Sequence, residues 1–141
     1  MNDFVFYSPT KVYFGKNKES EIGNIICEYK YQKVLLVYGQ NSIKKIGLYD
    51  KVINSLKDHH IKYLELSNIE PNPKLSKVKE GIKLIKEEPV DLILAVGGGS
   101  VIDTAKAIAC GVYLDEDPWC LNAHTVTPKC ALPIGVILTI S

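Results

Sequence analysis

Apolar residues recur along this chain in two alternating rhythms. KVLLVYG (residues 33–39) and DLILAV (91–96) are short unbroken apolar runs. Runs of this kind predict strands covered on both faces, as in parallel sheets. IKYLEL (61–66) and PIGVILTI (133–140) predict two further strands. Between these runs the spacing changes to three and four. Ile22, Ile25 and Ile26 form a stripe in KESEIGNIICEYK, and Leu48, Val52, Ile53 and Leu56 form one in IGLYDKVINSLKDHH. Leu75, Val78, Ile82 and Ile85 do the same in KLSKVKEGIKLIKEE, with lysines on the opposite side. Each stripe predicts an amphipathic helix. SVIDTAKAIACGVYL (100–114) predicts a helix rich in small residues, and DEDPWCLNAHTVTPKC (115–130) an irregular excursion. The opening FVFYSPTKVYFG holds two β-rich runs split by Ser8-Pro9-Thr10, which predicts a short N-terminal β-hairpin.

Strands that alternate with helices over short links specify an α/β fold: a Rossmann-like, mostly parallel sheet with helices on both faces. Right-handed crossovers align the strands' C-terminal ends along one rim, and ligands of such sheets bind outside it. Chemistry is therefore expected at Gly39–Ser42, Glu70–Pro73, Gly97–Ser100 and from Thr139 onward. A length of 141 residues fits one domain. The 17 basic and 16 acidic side chains nearly cancel. That balance argues against nucleic-acid binding, which needs a basic excess. No apolar run approaches the ~20 residues that span a bilayer. The N-terminus has no secretory pattern, so a cytoplasmic protein with reduced thiols is expected. Cys27, Cys110, Cys120 and Cys130 follow no zinc spacing and are read as plain thiols. The chain stops on the apolar segment ALPIGVILTIS, which suggests part of a longer protein, since a bare apolar edge invites aggregation.

The most informative stretch is VDLILAVGGGSVIDTAK, residues 90–106, in which Gly97, Gly98 and Gly99 directly follow a buried run. Glycines allow positive φ and close approach of a ligand to the backbone. Ser100 is expected as the N-cap of the next helix, with Asp103 completing a capping box. The free N–H groups of that helix would face the crevice, where a phosphate binds well. The loop is neither G-x-G-x-x-G, because Ile102 takes the third glycine's place, nor a P-loop. By mechanism alone it predicts a phosphate or pyrophosphate site and no particular nucleotide.

As a string, GGGSVIDTAKAIA resembles the G-G-G-S-x-x-D-x-A-K stretch of the iron-containing (group III) alcohol dehydrogenases. TKVYFGKNKESEIG, VYGQNSIKKIGLYDKV, EPNPKLSKVKEG and ALPIGVILTIS resemble further segments of that family in the same order, closest to its butanol dehydrogenase branch. The resemblance implies that Gly98, Gly99 and Ser100 hold the pyrophosphate of a nicotinamide dinucleotide, with Gly97 in the same loop. It places Asp103 near the nicotinamide side, although capping alone explains that residue. Asn72 would touch the cofactor or serve only the Asn-Pro turn. Thr139 would line the pyrophosphate or nicotinamide pocket. Lys106 is read as a surface partner of Asp103.

Gly39, Gln40 and Ser42 stand where a dinucleotide enzyme that prefers NAD carries an acidic residue. None is present, and Ser42, Lys44 and Lys45 suit a 2′-phosphate, so NADP is expected ahead of NAD. The family's Fe²⁺ or Zn²⁺ is held by one aspartate and three histidines that would lie beyond Ser141. His59 and His60 are read as surface residues and His124 as a lone histidine, so no metal site is expected here. Trp119 is read as a loop anchor. The resemblance implies a homodimer and a small alcohol or aldehyde substrate for the full-length protein. Residues 1–141 would be its dinucleotide-binding domain, inactive alone. Two other readings stay open: an enzyme like glycerol dehydrogenase or dehydroquinate synthase, which share the glycine loop, and a module that binds nucleotide or oligomerises without catalysis.

Overall fold

The computed structural model describes residues 3, 5, 8–72, 74–114 and 130–139. Four parallel strands, β1 (Lys33–Tyr38), β2 (Lys62–Leu66), β3 (Leu92–Gly97) and β4 (Ile134–Leu138), form one sheet in the order β2-β1-β3-β4. The two central strands are the two unbroken apolar runs, and Val34–Val37 and Ile93–Val96 are fully shielded from solvent. Asp91 fixes where β1 begins: its Oδ2 accepts the backbone N–H groups of Gln32 at 2.8 Å and Lys33 at 3.1 Å.

Side chains alternate across a strand, so each central strand feeds two cores. Val34, Leu36, Leu92, Leu94 and Val96 face α1 (Ile22–Glu28) and α3 (Leu48–Asp58). Leu35, Val37, Ile93 and Ala95 face α4 (Leu75–Glu87) and α5 (Gly99–Gly111). Helices thus cover both faces, as the alternating rhythm predicts. Small residues set how closely they pack. A Cβ at Gly81 would stand 2.4 Å from Ile108 Cδ1 and 3.1 Å from Leu66 Cδ2. Because the tips of flexible side chains can yield, Gly81→Ala is expected to lower stability by only about 1 kcal/mol, read from denaturant midpoints at constant slope.

Several expected boundaries move. The helix predicted over residues 18–30 divides into a 3₁₀ turn (Lys18–Glu21) and α1, and ends before Lys30, which takes φ 61°. The helix expected from Ile46 begins two residues later, at Leu48. Ser42–Lys45 makes a single turn, α2, and Gly47 at φ 76° resets the chain before α3. The second strand of the N-terminal hairpin does not form: residues 8–14 are irregular. None of the described strands runs beside them, and an unpaired strand has no ladder to hold it. Val12 and Phe14 therefore stay exposed. The first strand of the hairpin falls on residues 4–7, mostly outside the described residues, as do Trp119, Cys120 and His124. Among the described residues no helix is long and apolar enough to cross a membrane.

Candidate cofactor-binding site

β1 leads into α2 and α3 on one face of the sheet, and β3 leads into α5 on the other. Tyr38 and Val96 are register partners, so the loops that start at Gly39 and Gly97 leave the sheet side by side. They part in opposite directions and open a crevice at the topological switch point, where open α/β sheets bind ligands.

The three glycines at this point differ in why they are glycines. Gly97 has φ 155°, and a Cβ there would meet Val101 Cγ2 at 2.8 Å. Its carbonyl also accepts the N–H of Thr139 at 3.0 Å, which ties β4 to the loop. The fold itself requires this glycine. Gly98 has φ −96°, open to any residue, and a Cβ there would find its nearest neighbour, the Thr139 carbonyl, at 3.9 Å. A Cβ at Gly99 would meet nothing within 4 Å. Packing among the described residues explains neither glycine. Both keep clear the space in front of a helix start.

The cap of that helix lies two residues earlier than expected. Gly98 is the N-cap of α5, no side chain caps it, and Ile102 N–H donates to the Gly98 carbonyl at 3.1 Å. The predicted Ser100–Asp103 capping box is absent, because Ser100 already lies inside the first turn. Its carbonyl instead accepts the buried Thr104 hydroxyl at 2.8 Å. The amide groups ahead of Ile102 have no partner within the helix and carry the positive end of its dipole. The arrangement offers an anion several N–H donors and no side chain in the way.

The other predicted residues fall around this loop unequally. Thr139 lies against Gly97 and Gly98. Gly39 starts the neighbouring loop, and Gln40 and Ser42 follow it, exposed at the rim. The Asn68 N–H donates to the Gly39 carbonyl at 2.9 Å, and Ile69 N–H to that of Tyr38 at 3.3 Å. These bonds draw the loop after β2 along the end of β1. Asn72 belongs to that loop, exposed at φ 60°, a turn conformation that asparagine tolerates. Asp103 is exposed a turn into α5 and makes no ion pair with Lys106 among the described residues, which corrects the expected surface pair. His60 is exposed, whereas His59 is half-buried, its ring Nδ1 2.8 Å from the Ser55 carbonyl.

One cluster escaped sequence reading. Tyr38, the last residue of β1, and Tyr49 in α3 pack with ring centroids 5.5 Å apart, and both hydroxyls donate to Glu65 Oε1, at 3.3 and 2.5 Å. The Lys44 ammonium sits over both rings, 4.9 Å from the Tyr49 centroid and 5.6 Å from that of Tyr38. Nothing in residue spacing foretells the cluster, since it joins a strand end, a short turn, a helix and the edge strand. The hydrogen bond to Glu65 holds the Tyr49 hydroxyl well above the usual tyrosine range, and burial raises that of Tyr38. A group whose pKa is raised by folding adds stability below its unfolded pKa and loses it as pH rises through the folded one. Ultraviolet titration is therefore expected to show two tyrosines that ionise later than the rest. Glu65→Gln should bring Tyr49 back toward the others.

The family model of the iron-containing alcohol dehydrogenases matches residues 9–141. A probable NADH-dependent butanol dehydrogenase of Bacillus subtilis is 48% identical over 141 residues, which cover 100% of this chain and 36% of the relative. The NADPH-dependent aldehyde reductase YqhD of Escherichia coli is 38% identical over 143 residues, 99% of this chain and 36% of the relative. The crystal structure of an NADH-dependent butanol dehydrogenase A from Thermotoga maritima superimposes with a TM-score of 0.95 at 47% identity, covering 100% of this chain and 35% of that one. The chain thus spans about 36% of the length of these curated relatives. With a family match over nearly its whole length, the chain belongs to the iron-containing alcohol dehydrogenases.

Proposed function

We propose that residues 1–141 are the dinucleotide-binding domain of a metal-dependent alcohol dehydrogenase or aldehyde reductase. The observation that carries this reading is the pair Gly98 and Gly99, which packing among the described residues does not require to be glycine and which those residues leave uncovered at the start of α5. A side chain at either position would fill the cradle that a pyrophosphate needs. The residues present therefore fit a nicotinamide dinucleotide.

In this reading the amides of Gly98, Gly99 and Ser100 bind the pyrophosphate. Gly39, Gln40 and Ser42 border the adenosine ribose. Thr139 closes the β4 side of the crevice, while Asn72 and Asp103 stand at its edges. When bound, the cofactor accepts or donates a hydride at its nicotinamide ring. This chain's share of the reaction is to fix the dinucleotide in one orientation, which lowers the entropy cost of bringing the ring to the substrate. Among the described residues no group of three or more His, Cys, Asp and Glu side chains is placed to hold a metal ion. These residues therefore do not fit the family's Fe²⁺ or Zn²⁺. The metal and the pocket for a small alcohol or aldehyde belong to the remainder of the parent enzyme. The exposed Val5, Val12 and Phe14 favour pairing with a second copy, a homodimer.

Titration of the purified chain with NADPH, NADH and ADP-ribose tests the reading. Binding is expected, with no oxidation of NADPH by butanal even when Fe²⁺ or Zn²⁺ is added. A folded chain that binds none of the three, or one that turns over butanal, would contradict it.

A further inference from the structure

The end of β1 shows how the adenosine end of the cofactor would be told apart, an inference that rests on the functional reading above. We propose that Lys44 is the residue that binds the 2′-phosphate of NADP, and that Tyr38, Tyr49 and Glu65 position it.

An exposed lysine normally samples many rotamers, and its charge is spread over a large volume of solvent. Lys44 is held instead. Its ammonium lies over two tyrosine rings at 4.9 and 5.6 Å, and ring faces attract a cation. The rings are fixed in turn, because both hydroxyls donate to one carboxylate oxygen of Glu65, on the strand next to β1. The carboxylate meets the rings at their hydroxyl ends and makes no ion pair with Lys44 among the described residues. The ammonium is thus oriented without being neutralised, and it keeps its charge for an incoming anion. Its place is set by the chain. Ser42 opens α2 shortly after β1 ends at Tyr38, so Lys44 follows the strand end that neighbours the glycine loop, the side to which the functional reading assigns the adenosine ribose. That strand end has no carboxylate over residues 39–45 to bind a free 2′-hydroxyl and repel a phosphate. Lys45 has no ring beneath it among the described residues and is not assigned this role. Relatives named for NADH and for NADPH both match the chain, so likeness alone does not choose between them.

The test compares ADP-ribose with 2′-phospho-ADP-ribose, by calorimetric titration of the chain and its variants. The unaltered chain should bind the phosphorylated ligand about tenfold more tightly, the gain of one charge-assisted contact. Lys44→Gln should abolish that preference and leave ADP-ribose affinity within about twofold, Lys44→Arg should retain it, and Lys44→Glu should reverse it. Tyr49→Leu, which removes one ring, should reduce the preference by part of this amount. Lys57→Gln, a charge lost at the other end of α3, should change nothing. An unchanged preference in folded Lys44→Gln, or equal binding of both ligands by the unaltered chain, overturns the proposal and leaves the glycine-loop site intact. Failure of the folded chain to bind ADP-ribose at all overturns both.

Discussion

Gly99→Val is expected to weaken dinucleotide binding at least about 100-fold while the fold stands. The position is the first residue of α5, and a Cβ there meets no atom within 4 Å. Valine in the first turn of a helix costs a few tenths of a kcal/mol at most relative to other residues, and glycine is itself a poor helix former. Thermal and denaturant midpoints should therefore hold steady or rise slightly. The bound phosphate, however, would have to share its place with two methyl groups. Moving it by an ångström or more from the amide groups of Gly98, Gly99 and Ser100 removes several charge-assisted hydrogen bonds, and a loss of about 2.8 kcal/mol is a hundredfold in affinity. Binding measured by calorimetry, beside a thermal melt of the same sample, separates the two quantities. Gly97→Ala should behave in the opposite way. It should lower stability by about 2 kcal/mol, because φ 155° and the Val101 methyl at 2.8 Å both oppose a side chain there.

The largest stability effect is expected far from the crevice, at Gly23. Its N–H donates to the buried Ser55 hydroxyl at 2.9 Å, and that hydroxyl donates to the Ser20 carbonyl, also at 2.9 Å. One side chain thus ties the 3₁₀ turn and α1 to α3. A Cβ on Gly23 would lie 2.3 Å from the Ser55 carbonyl oxygen and 2.4 Å from His59 Nδ1. The first of these is helix backbone and cannot swing aside, unlike the side-chain tips around Gly81. Overpacking of this kind costs about 3 kcal/mol, and separation of the helices adds the loss of a buried hydrogen bond. The better helix propensity of alanine returns about 1 kcal/mol. Gly23→Ala is therefore expected to lose about 3 kcal/mol in urea unfolding. Gly47→Ala, where a Cβ meets nothing but φ is 76°, should lose about 1 kcal/mol.

The fold was legible in the sequence wherever burial alone decided structure. Residues 33–38 and 92–97 were legible as strands covered on both faces, because each is a short apolar run closed by glycine. The loop between strand and helix was legible for a related reason: three glycines directly after a buried run leave the backbone bare at the rim where ligands bind. What could not be read were places where tertiary contacts override local preference. Ser100 has the chemistry of an N-cap, yet the backbone of Gly98 takes that position, and Gly99 and Ser100 join the helix. The β-rich residues 11–14 have strand propensity without a neighbouring strand to pair with among the described residues. In the sequence Lys44 and Lys45 suit a 2′-phosphate equally, and only the placement of Tyr38, Tyr49 and Glu65 on separate elements distinguishes them.

The most direct test follows the backbone amide resonances of the ¹⁵N-labelled chain as ADP-ribose is added. The amides of Gly98, Gly99, Ser100 and Val101 are expected to shift most, with smaller changes at Gly39, Gln40 and Thr139. Shifts confined to other parts of a folded chain, or none at saturating ligand, would contradict a pyrophosphate site at the start of α5.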